Sequence, residues 1–249
     1  MFEPTIPFGE PELMRVSAFR RYLDELVRRA GGPGLTSRLS CLSPSLMEDL
    51  LRFEHGGRIT EPLEVLAACV RHLQRVTVHL QSGENVVPLT IFPLERLVHC
   101  PVELESLLEL RLSELEVLHV EPALLRPPGD AEEALVGDLP LYHPLGQLLW
   151  ELAMRGRRDE LLPEIAGPAA YRIAPGADFS GLKLSGTILA AVVRLKRQTA
   201  NLRELSRWPG FDRVRAMRLL NGLYLQAGLI VSRTHPNASS ESWFGGLGL

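Results

Sequence analysis

Residues 75–92 read Arg-Val-Thr-Val-His-Leu-Gln-Ser-Gly-Glu-Asn-Val-Val-Pro-Leu-Thr-Ile-Phe. Val76, Val78 and Leu80 alternate with polar neighbours, the two-residue period of a half-buried strand. Ser82-Gly83-Glu84-Asn85 is a turn, and Val86 to Phe92 returns as a second strand. Pro88 cannot donate to a ladder, which places that strand at an edge. Beyond the hairpin, Glu95 to His99 reads as a short strand, Glu103 to Leu110 as a short helix, and Leu115 to Val120 as another strand.

Upstream the period changes to that of helices. Val16, Phe19, Tyr22, Leu23, Leu26 and Val27 recur at three- and four-residue spacings, and Gly31-Gly32-Pro33-Gly34 closes that helix. Ser43 followed by Pro44 starts a second helix that runs to Phe53. A third runs from Leu63 to about Leu73, with Thr60 as its cap. Arg126-Pro127-Pro128-Gly129-Asp130 ends the region, and the acidic stretch to Pro140 reads as a linker.

The C-terminal part has its own grammar. Leu145 to Met154 is an apolar helix, followed by a charged loop. Ser185 caps a helix at 186–198, and Thr199 or Asn201 caps a short one at 202–208. Pro209-Gly210 breaks the chain, Asp212 opens a long helix to Ala227, Gly228 stops it, and Leu229 to Ser232 is a strand. Helix, short helix, turn, longer helix and strand is the order of a helix-turn-helix core with the start of a wing. The expected fold is therefore α+β. N-terminal helices and a small, mostly antiparallel sheet occupy residues 1–128, and a linker spans 129–143. A winged-helix-like helical domain comes next at 144–234, with a mobile tail at 235–249.

Composition bounds the function. The chain has 249 residues, 45% hydrophobic and 23% charged, an ordinary globular balance. No apolar run is long enough for a membrane span, and the acidic, proline-containing N-terminus lacks the pattern of a signal peptide. Three cysteines, Cys41, Cys69 and Cys100, form no CxxC pair and read as reduced, buried thiols. These features predict a cytoplasmic protein. Arginine outnumbers lysine 25 to 2, a bias that carries no functional weight. Charge distribution carries more. Residues 1–174 hold 17 basic and 26 acidic side chains, a net of −9, whereas residues 175–249 hold 10 and 4, a net of +6. A basic module of this kind meets an anionic surface, either a partner or the acidic half of its own chain.

Val76-Thr77-Val78-His79-Leu80-Gln81-Ser82-Gly83, Thr90-Ile91-Phe92 and Arg96-Leu97-Val98-His99-Cys100 together resemble the bacterial PATAN domain. In that family a helix, a strand ending in Ser-Gly, a second strand, a Gly-Arg-Leu-Val-His-Ala corner, a second helix and a closing strand succeed one another. Here Glu95 stands for the corner glycine and Cys100 for its alanine. The resemblance covers about residues 45–125, with a looser match to a helical tail over 180–232. It implies a signalling adaptor without catalytic residues, of the kind tied to response regulators, small GTPase circuits, and gliding or pilus motility.

The residues that carry chemistry are few. Arg213, Arg215 and Arg218 lie on the long helix, and Arg194, Lys196 and Arg197 close the one at 186–198. They are the candidate binding residues, for a protein partner or for DNA phosphates. Their bland alternative is a solvated face whose cations meet a helix C-terminal dipole. His99 and Cys100 are neighbours on a strand and point to opposite faces, so they form no dyad. The seven histidines show no metal-ligand spacing. His79 and His119 read as half-exposed strand residues. Glu103, Glu105 and Glu109 form a solvated acidic face, and Trp208 with Phe211 staples two helices. No catalytic residue, metal or cofactor is expected.

The favoured expectation is a non-enzymatic regulatory or adaptor protein acting through contact with another protein. The alternatives are a transcription regulator reading DNA with the helix at 212–227, and an enzyme of unrecognised type. The expected partner is another protein of unknown identity; nucleic acid and a homo-oligomer stay open, and no membrane is expected.

Overall fold

The computed structural model of the protein describes residues 13–29, 42–55, 58–59 and 61–239. It divides into two compact units, residues 1–145 and 146–249. In the order of the chain, the first unit contains α1 (Val16–Arg29), α2 (Pro44–Arg52), a minimal hairpin of β1 (Glu54–His55) and β2 (Arg58–Ile59), and α3 (Pro62–Arg71). Then come β3 (Val76–Ser82), β4 (Asn85–Phe92), β5 (Leu97–His99), α4 (Leu104–Glu109), β6 (Glu116–Pro122) and β7 (Tyr142–Pro144).

The long hairpin is the centre of this unit. β3 and β4 pair antiparallel from Val76–Ile91 to Ser82–Asn85 around Gly83, whose φ of 58° is the left-handed turn geometry that glycine adopts without strain. The sheet order is β6-β3-β4-β5-β7, antiparallel throughout. Val76, Val78 and Leu80 on β3 and Val87, Leu89 and Ile91 on β4 are buried on one face. Pro88 does not put β4 at an edge. β5 pairs with β4 only from Thr90 to Phe92, and the Val86 N–H donates to Met14 O, so Pro88 falls in the gap where no donor is required.

Capping explains the helix starts. Ser43 Oγ accepts from the Leu46 N–H at the head of α2. At α3 the cap is Glu61, whose carboxylate accepts from the Leu63 N–H; Thr60, expected in that role, lies outside the described residues, as do Gly31 to Gly34 and Cys41. His79 and His119 are not half-exposed. Phe19 of α1 stacks on the His79 ring at 4.7 Å, and Glu121 sits 3.0 Å from His79. The segment 129–143, expected as a linker, belongs to the first unit. Glu133–Leu135 and Leu139–Leu141 form single 3-10 turns, and β7 adds the last strand of the sheet. The Tyr142 hydroxyl donates to Arg126 O and accepts from the Gly137 N–H, which fastens this loop.

The second unit contains α5 (Leu145–Arg155), β8 (Ala170–Ile173), α6 (Gly186–Arg197), β9 (Ala200–Asn201), α7 (Leu202–Leu205), α8 (Arg213–Leu225), β10 (Leu229–Ser232) and α9 (Pro236–Ser239). Its helices α6, α7 and α8 follow one another as a long, a short and a long helix, and no wing hairpin forms among the described residues. The sheet order is β10-β8-β9, and the central strand β8 arrives from upstream of α6. The chain after β10 is tied elsewhere. Arg233 donates to Glu164 O, and Asn201 Nδ2 donates to Asn237 O, so residues 236–239 of the expected tail form α9.

Moving the boundary to 145/146 leaves the charge asymmetry intact. Residues 1–145 hold 13 basic and 22 acidic side chains, a net of −9, and residues 146–249 hold 14 and 8, a net of +6. Among the described residues no helix is long and apolar enough to cross a membrane.

Candidate interaction surface

The geometry of the basic unit begins with its helix starts. Asn201 Oδ1 accepts from the Glu204 N–H at 2.8 Å, and Glu204 returns a carboxylate to the Asn201 N–H at 3.1 Å, a reciprocal capping box that fixes α7. Asp212 accepts from the Arg215 N–H at 2.7 Å and starts α8. Between them Trp208 is buried and Gly210 adopts φ 77°. A Cβ on Gly210 would lie 2.7 Å from Thr187 Cγ2, so this turn approaches α6 as closely as only glycine permits.

α8 is a core helix rather than an exposed reading helix. Ala216, Met217 and Leu219 to Leu223 are buried, and only its first turn, Arg213 to Arg215, is exposed. Asn221 is fully buried, a residue the sequence reading did not single out. Its Oδ1 accepts from the Leu162 N–H and its Nδ2 donates to Glu160 O, both at 2.9 Å. One amide thus satisfies two backbone groups of the loop after α5.

The six candidate cations divide by what they touch. Arg218 donates to the carbonyls of Arg158, Gly156 and Met154 at 3.2, 3.1 and 3.4 Å. These lie at and beyond the C-terminus of α5, where unpaired carbonyls concentrate negative charge, so Arg218 is a structural cap. Arg215 turns back to Gly210 O at 2.8 Å and lies over the Phe211 ring. Arg194 lies 4.2 Å above the Trp208 ring, and Lys196 lies over Phe179. Arg197 and Arg213 are exposed. The structure therefore gathers Arg194, Lys196 and Arg197 at one end of α6 and takes Arg218 out of the set.

α6 adds what the sequence reading passed over. Leu189 and Val193 are 45% and 41% exposed, one turn apart, with exposed Ala190 between them. Arg197 stands one further turn along the same line. The signal was present in the sequence. Ile188, Leu189, Ala191, Val192, Val193 and Leu195 are more apolar positions than one buried stripe of a twelve-residue helix can use.

In the first unit the chemistry-bearing neighbours His99 and Cys100 are both buried. Burial pushes the Cys69 thiol up to about 12 and the Cys100 thiol up to about 11, so neither supplies a thiolate nucleophile at neutral pH. Burial also lowers the His99 pKa, against an opposing pull from Asp138. No family model, curated protein or solved structure matches this chain.

Proposed function

We propose that the protein is a non-enzymatic regulatory adaptor of the bacterial cytoplasm that acts through protein–protein contact, with α6 as its contact surface. One observation carries the reading. Exposed Leu189 and Val193 share a helix with Arg194, Lys196 and Arg197, which joins apolar area to positive charge. Protein interfaces use that combination, whereas a phosphate backbone offers nothing to two exposed aliphatic side chains. The sequence order helix, hairpin, strand, short helix and strand in the first unit supports the PATAN-like signalling reading, because that order is what the resemblance implies.

The second reading, a DNA-binding regulator using α8, has exposed Arg213 in its favour. Against it, the carboxylate of Asp212 occupies the N-terminus of α8, where a phosphate would sit, and Arg215 and Arg218 spend donors on backbone carbonyls. The test is affinity capture with the full chain beside a Leu189→Glu, Val193→Glu variant. The adaptor reading expects a discrete protein retained by the wild type and lost from the variant. Retention unchanged by the variant overturns α6 as the contact.

A further inference from the structure

We propose that the chain associates head to tail, with the exposed face of α6 in one copy seated in an acid-rimmed apolar groove on the first unit of another. This rests on the reading of α6 as a protein-contact surface and names its partner.

The groove is a cavity of about 600 Å³ beside the β3–β4 turn and α4. Val87, Val102, Leu107, Leu110 and Leu115 supply its apolar lining, and Leu110 stands 44% exposed at its lip. The rim is negative. Glu84 in the turn and Glu114 beyond α4 both line the cavity and are exposed. Glu103 accepts a hydrogen bond from Ser106, itself a lining residue, and Glu109 is exposed on the same helix. Arg111, also in the lining, pairs with Glu114 at 3.1 Å and the two charges cancel, so Glu84 and the neighbouring Glu103 and Glu109 give the rim its net negative sign.

An occupant of this groove needs aliphatic side chains on one face and cations beside them. α6 has that composition: Leu189 and Val193 one turn apart, Ala190 small enough for close approach, and three cations in the last turn. The net charges of the two units, −9 and +6, favour the same pairing over contact between like units. Groove and helix are different surfaces, so the contact is heterologous and extends from copy to copy unless the rotation closes a ring. A contact confined to one groove and one helix face falls in the small, transient class of interface. Its ion pairs lie at the rim and weaken with salt, as the Debye length falls from about 10 Å at 0.1 M to about 3 Å at 1 M.

Sedimentation velocity of the full chain over a micromolar concentration series tests this, with tryptophan fluorescence confirming that the helix variant is folded and far-ultraviolet circular dichroism with limited proteolysis confirming the groove variant, whose unit holds no tryptophan. The wild type is expected to gain mass with concentration and to lose that gain in high salt. A helix variant, Leu189→Glu with Val193→Glu, and a groove variant, Leu110→Arg with Glu114→Arg, are each expected to remain monomeric. Mixed in equal amounts they are expected to form a complex, because each still carries the half that the other lacks. A wild type that stays monomeric throughout, or two monomeric variants whose mixture forms nothing, overturns the proposal. If the wild type is monomeric yet the helix variant still loses a captured protein, the self-contact fails while the adaptor reading stands. If neither is seen, both fall.

Discussion

Replacing Asn221 by alanine is expected to cost the second unit about 2 kcal/mol. The side chain is fully buried on α8 and satisfies two backbone groups of the loop after α5. Truncation leaves the Leu162 N–H without its acceptor in a buried residue, a loss of roughly 1–3 kcal/mol. Glu160 O keeps a hydrogen bond from Arg158 Nε at 3.0 Å, so losing the amide donor costs little there. For a unit of about a hundred residues, 2 kcal/mol lowers the midpoint by roughly 8–16 °C. The assay is thermal unfolding monitored by tryptophan fluorescence. All three tryptophans, Trp150, Trp208 and Trp243, fall within residues 146–249, and Trp150 and Trp208 are buried there, so the signal reports this unit. A loss below about 0.5 kcal/mol, the range of an ordinary surface substitution, refutes the claim that this amide holds the loop.

Contacts elsewhere set further expected outcomes. A Cβ on Gly228 would meet the Phe179 ring at 2.4 Å, so Gly228→Ala is expected to cost about 1–3 kcal/mol in urea titration. Its neighbour Ala227 holds φ 55°, so Ala227→Gly is expected to add about 0.5–1 kcal/mol in the same assay. Arg218→Met is expected to lower stability by about 2 kcal/mol through the α5 carbonyls while leaving protein capture unchanged; Arg213→Ala should leave stability within about 0.5 kcal/mol. Burial raises the Asp49 pKa, but hydrogen bonds from His72 (2.6 Å) and Arg71 outweigh it and hold the carboxyl below its ordinary value. A carboxyl lowered by folding stabilises above its unfolded pKa and loses that contribution as pH falls through the folded one. Asp49→Asn is therefore expected to be less stable than wild type at neutral pH, with the difference shrinking below about pH 4.

Local chemistry was the legible part of this fold. Ser43, Asn201 and Asp212 announce helix starts because a short polar side chain before an apolar run has one efficient use there. The hairpin at 76–92 was legible because alternation and Gly83 agree. Nonlocal pairing was not. β7 comes after a Pro-, Gly- and acid-rich stretch that reads as a linker, and nothing local says that Tyr142 to Pro144 will complete a sheet with Leu97 to His99. β8 was hidden in the same way, four residues between loops whose partner β10 lies more than fifty residues on. Pro88 misled because an internal strand can still have a gap on one side.

The candidate site was half legible. The cations could be counted from the sequence, but their uses depend on which carbonyls and rings come near them. Arg218 looks like Arg213 in the sequence and is spent on the end of α5. Gly228 looked like the stop of α8, whereas Ala227 takes the left-handed conformation there and Gly228 is needed for space beside Phe179. Leu189 and Val193 were passed over because an apolar helix residue is ordinarily core, and only three-dimensional burial separates the stripe that is used from the one that is left.

The proposed adaptor role requires that the basic unit meet protein rather than nucleic acid. Fluorescence anisotropy of a labelled mixed-sequence duplex, titrated with the full chain at low and then moderate salt, addresses it directly. The adaptor role predicts no saturable binding, or only a weak signal unchanged by Arg213→Glu. Tight binding that falls steeply as salt rises, and disappears with Arg213→Glu, would contradict it, because that dependence is the signature of phosphate neutralisation from the exposed turn of α8.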